Sequence, residues 1–134
     1  MRIFLLFPLA FAMMIQCGRA GEVWTSYYET NRYDFTVSET ELAKAPVWNE
    51  TDDDPPLSAR KALRLARAAL SEFVSDSKAW KFDSLSLREG RDGHWVYLVS
   101  FELIPAGGGR VPTISIPVLM TGVAVKPRIS PWPR

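Results

Sequence analysis

Residues 58–74 read SARKALRLARAALSEFV, the most regular stretch of this 134-residue chain. At 100° per residue eight of its apolar side chains fall within one arc of about 140°, and Arg60, Arg64 and Arg67 lie on the opposite side. Ser58 is a favourable N-cap. The pattern predicts an amphipathic helix whose alanine-rich face packs closely across a sheet. The apolar residues on this arc are Ala59, Ala62, Leu63, Ala66, Ala69, Leu70, Phe73 and Val74.

After this helix the apolar period changes from 3.6 to 2, which is typical of strands. Residues 94–103 (HWVYLVSFEL) alternate most clearly. A preceding strand over residues 80–87 changes parity near Asp83 and Ser84, which predicts a bulge there.

A third strand is predicted over residues 113–120. Because Pro112 and Pro117 cannot donate to a ladder, one side of this strand should be an edge or bulged. A turn at residues 121–122 and a short last strand over residues 123–126 follow. The chain is therefore expected to be an α+β protein, with one amphipathic helix packed on a three- to four-stranded antiparallel meander.

The outer segments carry weaker patterns. Residues 22–37 have a strand-like aromatic and β-branched composition, and residues 38–41 match a capping box before one helical turn. Residues 45–57 are crowded with acids and prolines and predict a loop, and residues 127–134 predict a tail of polyproline II type. The expected division is a signal peptide (1–20), an N-terminal aromatic segment with its acidic, proline-rich loop (21–57), an α+β domain (58–127) and a proline-rich tail (128–134).

The first twenty residues have the layout of a secretory signal peptide. Arg2 precedes an apolar run from residue 3 to residue 15, and Gly18 and Ala20 supply the small side chains that a signal peptidase reads. The apolar run is too short for a stable membrane anchor. We therefore expect an exported protein, periplasmic or secreted, without a transmembrane segment once the signal is removed.

Cys17 offers an alternative, in which the chain is processed before this residue and lipidated on it. The preceding Gln16 disfavours that route, because such processing needs a small side chain there. Removal of residues 1–20 takes Arg2 and Arg19 from the 16 basic residues and leaves 14 against 15 acidic ones. An exported chain with a charge near −1 has no field that attracts nucleic acid, and we expect no nucleic-acid partner.

Three stretches of the chain together resemble a known plan. They are PPLSARKA at 55–62, GHWVYLVSF at 93–101 and VLMTGVAV at 118–125. Their order is similar to the helix-plus-hairpin arrangement of PepSY-like and cystatin-like modules, and the likeness covers about residues 55–127. The resemblance implies a module that binds or restrains a partner, often a peptidase, rather than a catalyst. It carries no residue-level function onto this chain.

The sequence offers little for catalysis, cofactors or metals. His94 is the only histidine, and a catalytic role would need a positioned partner such as Asp92. The acidic run at 52–54 lacks the spacing, the glycine and the final glutamate of a calcium loop. Residues 107–109 are glycines without the strand-to-helix context of a phosphate loop. We predict no catalytic residue, cofactor or metal site.

Two other function classes stay open. One is a small hydrolase whose carboxylates converge only in three dimensions, and the other is a structural component of the cell envelope. The hydrolase would need a deep pocket lined by at least two of the following acids: Asp52, Asp54, Asp83, Asp92 and Glu102.

Excess apolar surface is the main pointer to function. The strand at 94–103 is apolar on both faces, and one helix covers one face only. Either residues 22–37 fold over the second face, or Val96 and Leu98 meet a partner. These two residues and the basic stripe of α-helical arginines are the candidate binding residues: Val96, Leu98, Arg60, Arg64 and Arg67. We expect a small exported module, not an enzyme, that binds or inhibits a protein or peptide partner.

Overall fold

The computed structural model describes residues 21–133 of the chain. The predicted signal peptide, the lipidation alternative at Cys17 and the last residue, Arg134, lie outside the described residues. No helix within this range is long and apolar enough to cross a membrane. The elements are β1 (Glu22–Tyr28), β2 (Asn31–Val37), α1 (Glu39–Ala43), α2 (Ala59–Phe73), β3 (Lys81–Glu89), β4 (Trp95–Glu102), β5 (Thr113–Leu119) and β6 (Arg128–Pro131).

The fold is α+β, with two antiparallel three-stranded sheets and one main helix. One sheet is the meander β3-β4-β5, and the second has the order β1-β2-β6. The register of β3 against β4 shifts between Phe82 and Ser84. The predicted helix, meander and bulge are therefore confirmed, whereas the number of strands and the second sheet were not foreseen.

The predicted last strand over residues 123–126 was wrong. Gly122 turns the chain with a φ of 87°, and the Leu119 amide donates to the Val123 carbonyl at 2.9 Å. Beyond the turn, Ala124 forms a single bridge to Val118 and no ladder continues. The turn prediction is confirmed. The segment after the turn makes two backbone hydrogen bonds to the outer side of β5, around the single bridge, but it is not a strand.

The polyproline interpretation of the C-terminal tail was also wrong for residues 128–131. This segment is β6, and it pairs with β2 from Asp34↔Arg128 to Asn31↔Pro131. The physical reason is that its proline, Pro131, is the last residue of an edge strand, where a missing N–H costs no ladder bond. The tail therefore completes the sheet that the N-terminal hairpin begins.

Helix α2 lies on the meander as its apolar pattern predicts. Ser58 caps it by accepting the Lys61 amide at 3.2 Å, an interaction worth about 1 kcal/mol. The helix contacts β4 and β5. At its C-terminal end Phe73 packs against Tyr33 and Phe35 of β2, with ring centroids 5.6 and 5.9 Å away. The buried residues of the helix are Ala62, Ala66, Ala69 and Leu70, whereas Ala59 is exposed.

The N-terminal hairpin β1–β2 folds back onto the meander. Its strand β1 runs close to β5, and the Ser26 hydroxyl accepts the Ser115 amide at 3.3 Å. Trp24 and Val37 line a cavity together with Val96 of β4. The hairpin thus supplies intramolecular cover for the side of the meander that α2 does not reach.

The outer side of β5 is closed by this arrangement. Because neighbouring residues of an antiparallel strand bond in opposite directions, Ser115 and Pro117 both point their backbone groups away from β4. Ser26 takes the Ser115 N–H, and the Pro117 carbonyl accepts the Val125 amide at 2.9 Å. Pro117 has no N–H to leave unpaired, so proline fits inside this strand without losing a ladder bond.

Candidate functional site: the free edge of the meander

Two of the predicted binding residues, Val96 and Leu98, lie inside the protein. Their exposed fractions are 3% and 8%. This corrects the expectation that they present an apolar surface to a partner. The physical reason is the N-terminal hairpin, which lies over this face of β4, so that Trp24 and Val37 line the same small cavity as Val96.

Arg67 also departs from the predicted solvent-exposed stripe. Its guanidinium donates to the carbonyls of Ser77 and Trp80 and lies 4.4 Å above the centroid of the Phe101 ring. These contacts use the long apolar stem of arginine and the affinity of its planar head for an aromatic face. Arg67 therefore fastens α2 to the start of β3, while Arg60 and Arg64 are exposed on the helix.

The outer side of β3 is open, in contrast to that of β5. The Gly90 amide donates to the His94 carbonyl at 2.7 Å, so after the bulge the residues of β3 that bond to β4 are Ser84, Ser86 and Arg88. Leu85, Leu87 and Glu89 consequently point their N–H and C=O groups away from the sheet. Within residues 21–133 no strand pairs with this side. We call these three residues and their outward backbone groups the free edge.

Apolar side chains accompany the free edge on one face. Phe82, Leu85 and Leu87 stand opposite Phe101, Val99 and Tyr97 of β4, on the face that α2 covers. Leu85 and Leu87 are half-buried, and Phe82 is 45% exposed. An added strand would therefore find unpaired backbone groups beside a row of partly uncovered apolar side chains.

A groove continues this apolar row between α2 and the start of β3. Its floor includes the buried Trp80 and the ring of Phe82. The Phe82 ring meets the Phe101 ring edge to face, with 6.5 Å between the ring centroids. The exposed Lys78 and Lys81 give its rim a positive charge. The groove is lined by Arg67, Ala68, Ser71, Ser77, Lys78, Trp80, Lys81 and Phe82.

The ends of β3 restrict how far pairing could extend. The bulge between Phe82 and Ser84 interrupts the ladder at one end, and the charged Arg88 and Glu89 stand at the other. Bulges and edge charges are the usual devices that prevent indiscriminate pairing of sheet edges. Between these two ends, only a short stretch of β3 around Leu85 and Leu87 can pair with an added strand.

His94 lies in a separate cavity with Glu39, Arg91 and Asp92. Arg91 forms an ion pair with Glu39 at 2.9 Å, so this carboxylate already has a partner. The His94 Nδ1 is buried and has no hydrogen-bond partner among the described residues. Of the acids that the hydrolase alternative needs, only Asp92 lines this cavity.

Two aromatic side chains of β4 donate hydrogen bonds to backbone carbonyls of the acidic loop before α2. The Trp95 indole donates to the Trp48 carbonyl, and the Tyr97 hydroxyl donates to the Leu57 carbonyl, each at 2.7 Å. Burial, aided by the negative charge of Asp54, raises the pKa of Tyr97. The run of acids at 52–54 is exposed, and in the described part of the chain no group of three metal-ligating side chains forms.

Comparison with models of known protein families, with curated proteins and with solved structures finds no match for this chain. The resemblance to PepSY-like and cystatin-like modules therefore stays a prediction. Function has to be argued from the chemistry of the sites themselves.

Proposed function

We propose that this protein is an exported, non-enzymatic module that binds an extended segment of a partner polypeptide as a fourth strand on β3. The free edge carries this proposal. It presents N–H and C=O groups of three alternate residues, and such rows recruit peptides by strand addition. The signal-like residues 1–20 support the exported location.

The face beside the free edge suggests the chemistry of the peptide. Alternate side chains of an added strand would lie on the same face as Phe82, Leu85 and Leu87. An apolar residue at every second position would extend the partly exposed row on that face. The exposed Lys78 and Lys81 favour an acidic residue in the part of the peptide nearest the groove.

The test selects linear peptides from a displayed library on the immobilised protein and maps the selected peptide by amide hydrogen exchange. We expect alternating apolar residues in the selected sequences. We also expect slower exchange at Leu85, Leu87 and Glu89, because a new strand would accept these hydrogens. Selected peptides that leave these three amides unprotected would overturn strand addition.

A proline substitution separates backbone pairing from side-chain contact. Leu87→Pro removes an outward donor without removing a bond to β4, as Pro117 does naturally in β5. Leu87→Ala, the matched control, keeps the donor and removes most of the side chain. The proposal predicts that the proline variant loses at least about tenfold more affinity than the alanine variant.

A further inference from the structure

A second concave surface lies on the opposite side of the molecule from the free edge, beside the closed edge of β5. It is bounded by the end of β1, by residues 110–113 before and at the start of β5, and by Trp132 after β6. Its lining mixes aromatic rings with polar side chains: Thr25, Tyr27, Glu29, Arg110, Thr113 and Trp132. We call it the aromatic surface.

Two exposed aromatic side chains, tilted against each other, form the apolar part of the aromatic surface. Tyr27 and Trp132 are each 44% exposed, and their ring centroids are 4.8 Å apart with an angle of 53° between the planes. The Trp132 amide donates to the Thr30 carbonyl at 2.6 Å, which anchors the backbone that carries the indole. Large rings held open to water in this way are typical of binding surfaces.

Glu29 is held at the rim in an unfavourable backbone conformation. Its φ is 53°, in the left-handed region where glycine or asparagine would fit with less strain. Burial raises the pKa of the Tyr28 hydroxyl, and the nearby carboxylate of Glu29 raises it further. The two-residue turn between the paired residues Tyr28 and Asn31 accounts for this conformation.

Arg110 lines the same surface as Glu29, at the end of a loop that contains three glycines. Gly108 and Gly109 have φ values of 75° and 105°, and no atom lies within 4 Å of the Cβ that either would carry. In the described part of the chain neither Arg110 nor Glu29 forms an ion pair. The surface therefore presents the guanidinium of Arg110 as a donor and the Glu29 carboxylate, beside the Tyr28 hydroxyl, as an acceptor, with no net charge.

We propose that the aromatic surface binds an uncharged saccharide. The apolar C–H face of a sugar ring matches the exposed rings of Tyr27 and Trp132 in size and polarity. Its hydroxyl groups donate to the carboxylate of Glu29 and accept from the guanidinium of Arg110. A charged ligand would leave one of these two ionic groups without a complementary partner.

The probes are three uncharged hexasaccharides: those of β-1,4-linked glucose, α-1,4-linked glucose and β-1,4-linked N-acetylglucosamine. Binding is measured by calorimetry, and the indole N–H of Trp132 is followed by NMR. We expect at least one probe to bind and to shift this resonance. Failure of all three to bind at millimolar concentration, or binding that leaves the Trp132 signal unmoved, would overturn the proposal.

Variants assign the binding to this surface. Trp132→Ala should weaken the binding of the probe by about tenfold or more, whereas Phe82→Ala removes a ring of equal exposure elsewhere and should leave it unchanged. Glu29→Gly should raise the melting temperature, because glycine relieves the strained φ, and should still weaken binding. Equal binding by the Glu29→Gly protein would show that the carboxylate does not contact the sugar.

Discussion

The two outer strands of the meander share one sheet but have opposite edges. On β5, Ser26 accepts the Ser115 N–H, Pro117 has no N–H, and Val125 donates to its carbonyl. On β3, Leu85 and Leu87 direct their donors and acceptors away from the sheet, and no described strand pairs with them. One edge is closed by the protein itself, and the other is open.

The difference shows what protection an edge strand needs. The closed edge uses a serine from another sheet, a proline and a turn, all of which remove or satisfy backbone groups. The open edge is protected only by a bulge and by terminal charges, which limit pairing without preventing it. An edge left in this state is the natural place to look for a partner.

The largest expected effect tests the bonding directions along β3. Ser86 bonds to β4, so Ser86→Pro should lower the free energy of unfolding by roughly 2–4 kcal/mol relative to Ser86→Ala. Leu87 points outward, so Leu87→Pro should cost within about 1 kcal/mol of Leu87→Ala. Urea unfolding measures both differences. Equal penalties at the two positions would mean that the bonding directions are assigned wrongly.

A smaller effect is expected at the closed edge. Ser26→Ala removes the acceptor of the Ser115 N–H and leaves that donor unpaired, which should cost about 1–2 kcal/mol. Ser84→Ala on the open strand is the matched control, because its exposed hydroxyl bonds only to Asp83, and it should cost less than about 0.5 kcal/mol. Similar stability of the two variants would contradict the view that Ser26 closes the edge.

The smallest effect concerns the hairpin that closes β5. The Thr25 hydroxyl donates to Asp34 at 2.7 Å and lowers the pKa of that carboxyl, and Arg32 lowers it further. A carboxyl with a lowered pKa in the folded state stabilises the fold above its ordinary pKa of about 3.9, and this contribution is lost as the pH falls through the lowered value. Thr25→Val should therefore raise the pKa of Asp34.

An NMR titration of the Asp34 carboxyl measures this change. Thr36→Val is the control, since Thr36 is an exposed threonine of β2 without a bond to a carboxylate. It should leave the Asp34 pKa where it is. An unchanged Asp34 pKa in Thr25→Val would show that the hydroxyl does not set it.

Local patterns account for the parts of the fold that the sequence predicts well. The Ser38 cap of α1, the Ser58 cap of α2 and the bulge after Phe82 each depend on a few neighbouring residues. The alternation within β4 predicts the strand but not the environment of its faces. Burial of Val96 depends on where the N-terminal hairpin docks, and no local period reports that.

The remaining features arise from contacts between distant segments. The pairing of β2 with β6 joins residues 94 to 100 positions apart in the sequence, and prolines around β6 conceal its strand character. Arg67 matches a solvent-exposed stripe by spacing, yet its head reaches carbonyls that exist only once the turn before β3 has formed. The free edge is only partly visible in the sequence. The charged and polar residues of β3 differ from the apolar run of β4 and are typical of an edge strand, but they do not show which side of β3 stays unpaired.

Pro117 has a consequence for assembly. Endless polymers of sheets need two receptive sides, so that each copy can be both acceptor and donor. In this meander no described strand pairs with the outer side of β3, whereas at β5 a proline and the bond from Ser115 to Ser26 leave no outward N–H for a further strand. Strand addition at β3, as proposed, would therefore end after one step, as a single bound peptide or a two-fold symmetric pair, because β5 offers no second receptive edge for a fibre.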